Sequence, residues 1–136
     1  LTCRVDAPEN LHVLADPDKF ARVLDNLLRN AVAYSYENTE ILIRAFQNGQ
    51  EVAVTFFNRG DKIPEQKLVL IFDKFYRLDD ARQSATGGAG LGLAIAKEIV
   101  ELHNGRIFAQ SDDSQTAFTV LLPASPFPSG ELMRQE

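Results

Sequence analysis

One stretch, residues 17–34, constrains the fold most, because its apolar residues recur at the spacing of a single helical face. The apolar positions are Phe20, Val23, Leu24, Leu27, Leu28, Ala31 and Val32. Asp16 is a good N-cap residue and Pro17 suits the first helical position, so the helix is predicted to begin there. A helix with one broad apolar face must bury it against another layer of secondary structure.

The second layer is predicted to be a β-sheet. Runs that read as strands are residues 2–6, 11–15, 39–47, 50–58, 106–111 and 115–122. Asn48-Gly49 separates two of these runs and is the pair that best suits a two-residue hairpin turn. The last two runs are predicted to form a closing hairpin, and the first two a pair of short strands at the start of the chain.

Two further helices are predicted, a short one over residues 65–71 and a strong one over residues 91–103. This order of elements indicates an α+β fold, a two-layer α/β sandwich. About three helices cover one face of a mixed, mostly antiparallel sheet of about five strands. We expect residues 1–123 to form one domain and the proline- and serine-rich residues 124–136 to be a flexible tail.

Charge and cysteine content exclude several classes. The net charge of −5 lacks the basic footprint of a nucleic-acid-binding protein, so no nucleic-acid partner is expected. An acidic protein that binds an acidic ligand needs a cation and oriented backbone dipoles to supply positive potential. Cys3 is the only cysteine, so no intrachain disulfide forms. No apolar run is long enough for a membrane span, and we expect a soluble domain.

Two asparagines, Asn26 and Asn30, lie one turn apart on the flank of the long helix, with Tyr34 a further turn along. Asparagine is a poor helix former, because its side chain competes for the backbone. Two of them in mid-helix cost stability unless packing or a ligand compensates. The pair fits either of two roles: amides that cap nearby loop groups, or an amide oxygen that ligates Mg²⁺, an ion that prefers oxygen donors.

A glycine-rich segment opens the helix at residues 91–103. Its glycines are Gly87, Gly88, Gly90 and Gly92. Glycine lets the backbone approach phosphates, and a helix N-terminus attracts anions. The segment lacks the Lys-Ser/Thr of a Walker P-loop and the strand context of a dinucleotide fold. It suits either a flexible hinge or a phosphate site, and the polar stretch before it suits a mobile lid, about residues 76–89.

Four motifs occur in register: NLLRNAVAYS at 26–35, NRGDKIP at 58–64, IFDKFYR at 71–77 and GGAGLGLAI at 87–95. Together, over about residues 10–123, they resemble the catalytic ATP-binding domain of bacterial sensor histidine kinases. That family belongs to the Bergerat-type ATPase class that includes gyrase, Hsp90 and MutL. The resemblance implies an enzyme that binds Mg·ATP and donates its terminal phosphoryl group to a histidine on a separate dimerisation domain, for later transfer to a response-regulator aspartate.

The resemblance also implies a set of ATP-binding residues. They are Asn26, Asn30, Tyr34, Asn58, Gly60, Ile63, Arg77, Gly88, Gly90, Leu91, Gly92, Leu93 and Thr116. By this resemblance, Asn30 is expected to be the Mg²⁺ ligand and Asn26 to line the same site. Tyr34 is expected to lie along the adenine ring, Asn58 to read its amino group, and Thr116 to lie at the back of its pocket.

The lid region carries further implied roles. Phe72 and Phe75 resemble the aromatic pair that anchors the lid, and Arg77 resembles the catalytic arginine that reaches the terminal phosphate. The glycines and leucines at 88–93 would surround the phosphates. The lid sequence and the NRGDKIP motif look most like sensors of the vancomycin-resistance type.

Four positions depart from the family pattern. Asn58 replaces the usual aspartate, and its carbonyl oxygen still accepts a hydrogen bond from the adenine amine, but weaker adenine selectivity is expected. Lys62 replaces a glycine, Ala33 replaces a lysine near the phosphates, and Gln115 replaces a glycine. Phosphate neutralisation therefore depends more on Mg²⁺ and Arg77.

The family also implies partners and a location. The domain is expected to be monomeric alone and cytoplasmic, within a homodimeric membrane sensor that works with a response regulator. Neither His12 nor His103 lies in an acceptor motif, so both are expected to be structural. Three alternatives stay open: a self-contained ATPase of the gyrase or Hsp90 kind, a nucleotide-sensing module without transfer activity, and a serine kinase that controls a sigma factor. The first uses a glutamate as base where this chain has Asn26.

Overall fold

A computed structural model describes residues 1–74, 76 and 92–124. The strands are β1 (Thr2–Asp6), β2 (Glu40–Asn48), β3 (Glu51–Asn58), β4 (Arg106–Ser111) and β5 (Thr116–Pro123). The α-helices in the described residues are α1 (Pro17–Tyr34) and α2 (Gly92–Leu102). Two 3₁₀ turns lie between β3 and α2, at Glu65–Lys67 and Leu70–Phe72.

The strands form one sheet in the order β1-β2-β3-β5-β4. β1 pairs with β2 in parallel, and the other pairs are antiparallel. α1 and α2 pack against each other, α1 also packs against β3, and α2 packs against β4. The predicted fold class, a two-layer α/β sandwich with a mixed, mostly antiparallel sheet, is confirmed.

The core lies between the helices and one face of the sheet. Val23, Leu27 and Ala31 of α1 are buried there, as the helical spacing predicts. They meet a strip of sheet residues that includes Phe56 and Phe118, which face each other across β3 and β5. Residues two apart on a strand share a face. Asn58, two residues after Phe56, and Thr116, two residues before Phe118, therefore continue this apolar strip with polar side chains at the end of β3 and the start of β5.

Capping fixes both ends of α1. Its first turn is held by the Asp16 carboxylate, which accepts hydrogen bonds from the backbone N–H groups of Asp18 (3.0 Å) and Lys19 (3.1 Å). At its C-terminus the Ser35 hydroxyl donates to the Ala31 carbonyl at 2.5 Å. The predicted bounds of this helix, residues 17–34, are therefore confirmed.

His103 joins the end of α2 to the start of α1. The backbone N–H of Asp16 donates to its Nε2 at 3.0 Å, and its Nδ1 lies 2.8 Å from the Ile99 carbonyl oxygen. Because Nε2 accepts, the proton is assigned to Nδ1, which donates to Ile99. Both ring nitrogens are thus engaged within the fold, which gives His103 a structural role.

The predicted strand at residues 11–15 is wrong. Only Val13 makes an isolated bridge there, to Ala124. The reason is that β1 pairs with β2 in parallel. A parallel pair needs a crossover connection, so the chain after β1 leads into α1 rather than back along the sheet edge.

The predicted helix at residues 65–71 is also replaced, by the two 3₁₀ turns. The backbone hydrogen bonds span three residues, as in Lys67 N–H to the Pro64 carbonyl (2.9 Å) and Phe72 N–H to the Val69 carbonyl (3.3 Å). This tighter winding buries Ile71 and Phe72 while Val69 stays exposed. In an α-helix, Val69 and Phe72 would lie on the same face and would not differ in burial in this way.

The hairpin between β2 and β3 forms as predicted, but its turn is shifted by one residue. Asn48 pairs with Glu51, which leaves Gly49 and Gln50 as the loop. Gly49 has a φ of 65°, whereas Asn48 continues the strand. The glycine therefore occupies the first loop position, where its freedom to adopt positive φ is used.

Candidate functional site

A cavity of about 210 Å³ lies at one end of the sheet, beside the second half of α1. Six of the predicted site residues line it: Asn30, Tyr34, Asn58, Ile63, Leu93 and Thr116. Pockets that enclose a whole small molecule measure roughly 300–1,000 Å³. This cavity is smaller, and its size suits one planar part of a ligand.

Two polar residues on neighbouring strands form the floor of the cavity, and one of them pairs with a polar residue on a third strand. Asn58 on β3 pairs with Thr116 on β5, and Thr116 pairs in turn with Ser111 on β4. Asn58 is only 4% exposed and Thr116 only 3%. Buried polar side chains are costly unless hydrogen bonds satisfy them. The two buried polar residues here are therefore a distinctive feature of the site.

Ser111 connects this floor to the loop after β3. Its Oγ accepts a hydrogen bond from the Ile63 backbone N–H at 2.9 Å and lies 2.8 Å from the Thr116 Oγ1. Sequence analysis did not identify Ser111. Its role depends on the pairing of β4 with β5, which the sequence does not specify residue by residue.

The loop from Arg59 to Pro64 is held at its other side by Tyr36. The Tyr36 N–H donates to the Arg59 carbonyl at 2.8 Å, and its hydroxyl donates to the Asp61 carboxylate at 2.7 Å. The cavity wall formed by this loop is therefore fixed at both ends by hydrogen bonds.

Gly60 allows the loop to approach α1 closely. A β-carbon at this position would clash with the backbone carbonyl oxygen of Tyr34 and would lie 3.4 Å from the Asn58 Nδ2. Gly60 does not line the cavity itself. Tyr34 and Asn58 do line the cavity, and Gly60 lets them lie close together. This close approach is the physical reason for a glycine at this position.

The two asparagines of α1 have different surroundings. Asn30 lines the cavity, whereas Asn26 does not. The Asn26 Nδ2 is fully buried and has no hydrogen-bond partner among the described residues. The Asn26 amide lies beside Gly92, the first residue of α2: a β-carbon on Gly92 would be 3.9 Å from the Asn26 amide carbon. A buried donor that no described residue satisfies thus lies beside the N-terminus of α2, and helix N-termini bind anions favourably.

The donor set fits a magnesium ion that arrives with a phosphate ligand. Among the described residues, no group of three His, Cys, Asp or Glu side chains could hold a metal. Mg²⁺ often keeps several waters and takes one or two protein oxygens beside the phosphate oxygens of a nucleotide. The Asn30 amide oxygen, on the cavity wall, is a suitable single protein donor.

The cavity also includes residues that sequence analysis did not assign to the site. They are Asp61, Lys62, Pro64, Lys67, Ile71 and Phe118. Strand alternation gives a signal for Phe118, because it follows Thr116 by two residues and therefore shares its face. Phe118 also contacts Phe72 edge-to-face, with ring centroids 6.1 Å apart. Phe72, expected to anchor the lid, is thus part of the core beside the cavity.

Several predicted residues lie outside the described part of the chain. These are Phe75, Arg77, Gly88, Gly90 and Leu91, together with most of the predicted lid at residues 76–89 and residues 125–136 of the predicted tail. Ala124, the first residue of that tail, is described: its N–H donates to the Gln50 carbonyl at 2.8 Å. None of the helices among residues 1–74 and 92–124 is long and apolar enough to cross a membrane.

Comparison with known proteins assigns the family. The model of the histidine kinase-, DNA gyrase B- and HSP90-like ATPases matches residues 15–126. This match covers more than half of the chain, so the chain belongs to that ATPase family. The resemblance to the catalytic ATP-binding domain of sensor histidine kinases is thereby confirmed.

Individual relatives are sensor proteins. The chain is 57% identical to the sensor protein VanS of Enterococcus faecium over 122 residues, and this match covers 90% of this chain and 32% of that protein. It is 41% identical over 123 residues to VanSC of Enterococcus gallinarum, with 90% and 34% covered. For the sensor protein kinase WalK of Staphylococcus haemolyticus the identity is 41%, with 90% and 21% covered. The chain thus spans about a third or less of these relatives.

Solved structures agree with this assignment. The catalytic domain of histidine kinase ThkA matches with a TM-score of 0.78 and 32% identity over 92% of this chain and 79% of that one. The mycobacterial sensor histidine kinase MprB matches with a TM-score of 0.77 and 26% identity, over 92% and 84%. ThkA has also been solved in complex with the response regulator protein TrrA.

Proposed function

We propose that this domain binds Mg·ATP in the cavity bordered by Asn30, Asn58 and Thr116. It then donates the terminal phosphoryl group to a histidine on a separate dimerisation domain, for later transfer to a response-regulator aspartate. The observation that carries the proposal is the convergence of these three polar side chains on one cavity in a protein of this ATPase family.

Positioning and electrostatics supply most of the catalysis in phosphoryl transfer. The floor of Asn58 and Thr116 orients the base, and Tyr34 and Ile63 flank it. The N-terminus of α2 offers backbone N–H groups to the phosphates. A bound Mg²⁺ would neutralise phosphate charge, with the Asn30 amide oxygen as its protein ligand.

Arg77 is proposed to contact the terminal phosphate, as the family resemblance implies. Its planar guanidinium would stabilise the charge that shifts during transfer. Arg77→Ala should therefore reduce the rate of transfer much more than the affinity for Mg·ATP. Equal losses in both would argue that Arg77 only binds the ground state.

The self-contained ATPase is disfavoured by Asn26. An amide cannot accept a proton from water as a glutamate would, and the Asn26 amide lies beside Gly92. The isolated domain should hydrolyse ATP far more slowly than the roughly 1–1,000 turnovers per second typical of enzymes. Turnover within that range by the purified domain would favour the gyrase-like alternative.

The transfer itself is tested in trans. The domain is mixed with Mg·ATP labelled on the terminal phosphate and with the dimerisation fragment of its own parent kinase, and acid-labile phosphohistidine is measured. Label should appear on the fragment, and not when its acceptor histidine is changed to alanine. Tight binding of both ATP and the fragment without transfer would favour a nucleotide-sensing module.

The parent protein is proposed to be a homodimeric membrane sensor of the VanS type that holds this domain in the cytoplasm. This rests on the 57% identity to VanS and on the sensor names of the other relatives. The partners proposed for it are its own phosphoacceptor domain and a response regulator.

A further inference from the structure

The base-reading floor of the cavity is built from groups whose hydrogen-bond polarity can be reversed. Asn58 carries both an acceptor and donors on one side-chain amide, and half a turn about its terminal bond exchanges them. Asn58 is 4% exposed and lines the cavity, and its side chain makes no hydrogen bond to any described residue. No described protein group therefore selects one orientation of this amide.

Thr116 has the same freedom for a different reason. Its Oγ1 is 2.8 Å from the Ser111 Oγ, and either hydroxyl can be the donor. When Ser111 donates to Thr116, the Thr116 proton is available to the cavity. When Thr116 donates to Ser111, its own oxygen presents only lone pairs to the cavity. Ser111 tolerates both arrangements, since its oxygen can accept from Thr116 and from the Ile63 N–H at the same time.

Asn58 and Thr116 are cross-strand partners, so they face one edge of a ligand together. With the Asn58 oxygen and the Thr116 proton directed inward, the floor offers an acceptor beside a donor. This matches the amino group and N1 of adenine. With both groups reversed, the floor offers a donor beside an acceptor, which matches the carbonyl and N1–H of a 6-oxopurine.

We propose that this domain binds 6-oxopurine nucleoside triphosphates as well as ATP, through the reversible pair Asn58 and Thr116. This inference rests on the proposed function, because the proposed function is what places a purine in this cavity. An aspartate at position 58 would abolish the reversal, since a carboxylate only accepts hydrogen bonds and repels a carbonyl oxygen. Specificity from buried polar groups can be large: a site built to hydrogen-bond a particular group rejects an analogue that lacks it by about 10⁴-fold.

The test uses calorimetric titration of the domain with Mg·ATP and Mg·ITP. Inosine triphosphate is the probe, because it differs from ATP only in carrying the 6-oxo group and N1–H. The dissociation constants of the two should lie within about tenfold of each other. If ATP binds and ITP binds more than about tenfold more weakly, the inference is wrong and the proposed function stands.

Substitution of Asn58 then tests whether this residue is the reason that the two nucleotides bind with similar affinity. Asn58→Asp should raise the ratio of the ITP to the ATP dissociation constant at least about 100-fold. The control Asn48→Asp makes the same chemical change at an exposed position at the end of β2 and should leave the ratio unchanged. An unchanged ratio in a folded Asn58→Asp variant would overturn the inference.

Thr116→Val provides a second variant. Removal of its hydroxyl should weaken both nucleotides by a similar factor, since both use it. Thr119→Val is the matched control: Thr119 is on the same strand, but its hydroxyl pairs with Thr55 (3.2 Å) on the opposite face of the sheet. Loss of ATP binding alone in Thr116→Val would contradict the shared use of that hydroxyl. A wild-type domain that binds neither nucleotide would remove both this inference and the proposed function.

Discussion

Among single residues, Asn30 matters most, because it is the proposed protein ligand of Mg²⁺ in the cavity. Replacement by alanine removes the proposed Mg²⁺ ligand but leaves the helix intact, because alanine is the best helix former. We expect Asn30→Ala to weaken Mg·ATP binding by at least about 10- to 100-fold, the loss typical when a residue that only orients a metal ligand is replaced. Binding in the presence of excess chelator, measured by calorimetry, should be nearly the same for the variant and the wild type.

The control for this prediction lies on the same helix. Arg29 is exposed and forms an ion pair with Asp25 at 2.8 Å, and Arg29→Ala should leave the affinity for Mg·ATP unchanged. If Asn30→Ala loses the same affinity with and without Mg²⁺, then Asn30 contacts the nucleotide directly and is not the metal ligand.

Gly60 offers a prediction about stability. Gly60→Ala should lower the free energy of unfolding by about 1–3 kcal/mol, because the new methyl group overpacks against the Tyr34 carbonyl. It should also weaken nucleotide binding, since Tyr34 and Asn58 both line the cavity. Urea denaturation and calorimetry measure the two effects.

Gly49→Ala is the comparison for Gly60→Ala. Nothing lies within 4 Å of a β-carbon at Gly49, but its φ is 65°. Only backbone strain should therefore destabilise this variant, by about 1–2 kcal/mol, and nucleotide affinity should stay unchanged. A Gly60→Ala variant with wild-type stability would contradict the close approach of the loop to α1.

At the scale of elements, local capping supports α1. Asp16→Ala removes an acceptor for two backbone N–H groups and should destabilise the domain by about 1 kcal/mol. Asp25→Ala, which breaks only an exposed pair on the same helix, should cost about 0.3–0.5 kcal/mol. Chemical denaturation distinguishes the two, and equal losses would argue against the cap.

The loop between β4 and β5 contains a carboxylate with a lowered pKa. The Asp112 carboxylate accepts hydrogen bonds from the Ser114 hydroxyl (2.7 Å) and from the backbone N–H groups of Gln115 (2.9 Å) and Ser114 (2.8 Å). These bonds stabilise the charged form and hold the pKa of Asp112 below its ordinary value. The loop joins the strands that carry Ser111 and Thr116.

A lowered pKa in the folded state contributes stability at neutral pH, and that stability is lost as the pH falls through the folded pKa. Ser114→Ala removes the main cause, so the pKa of Asp112 should rise toward its ordinary value. NMR titration of the Asp112 carboxyl measures this. An unchanged titration would show that the Ser114 hydroxyl bond does not form in solution.

Elements with strong local signals were predictable. The bounds of α1 followed from its apolar period and from Asp16 and Pro17, and the hairpin followed from two β-rich runs around Gly49. Residues 11–15 have the same strand-like composition, yet only Val13 pairs. The difference comes from the parallel pairing of β1 with β2, a long-range contact that a local pattern does not contain.

At the scale of the whole molecule, the fold class could be predicted because each layer has one apolar face and only a few arrangements bury both. Six residues of the cavity wall were among those that the family resemblance implied. Ser111 was not, because its contact with Thr116 depends on the register of two strands. Sequence motifs therefore predict the residues that touch a ligand better than they predict the residues, such as Ser111, that orient those side chains.

The cavity at the end of the sheet is the proposed nucleotide site. NMR chemical-shift mapping of the labelled domain during titration with Mg·ATP tests it directly. The largest changes should occur at the amides of Asn30, Asn58, Ile63 and Thr116, with little change at Thr55 and Thr119 on the opposite face. Saturable changes that leave the cavity residues unaffected, or that centre on the opposite face, would contradict the account.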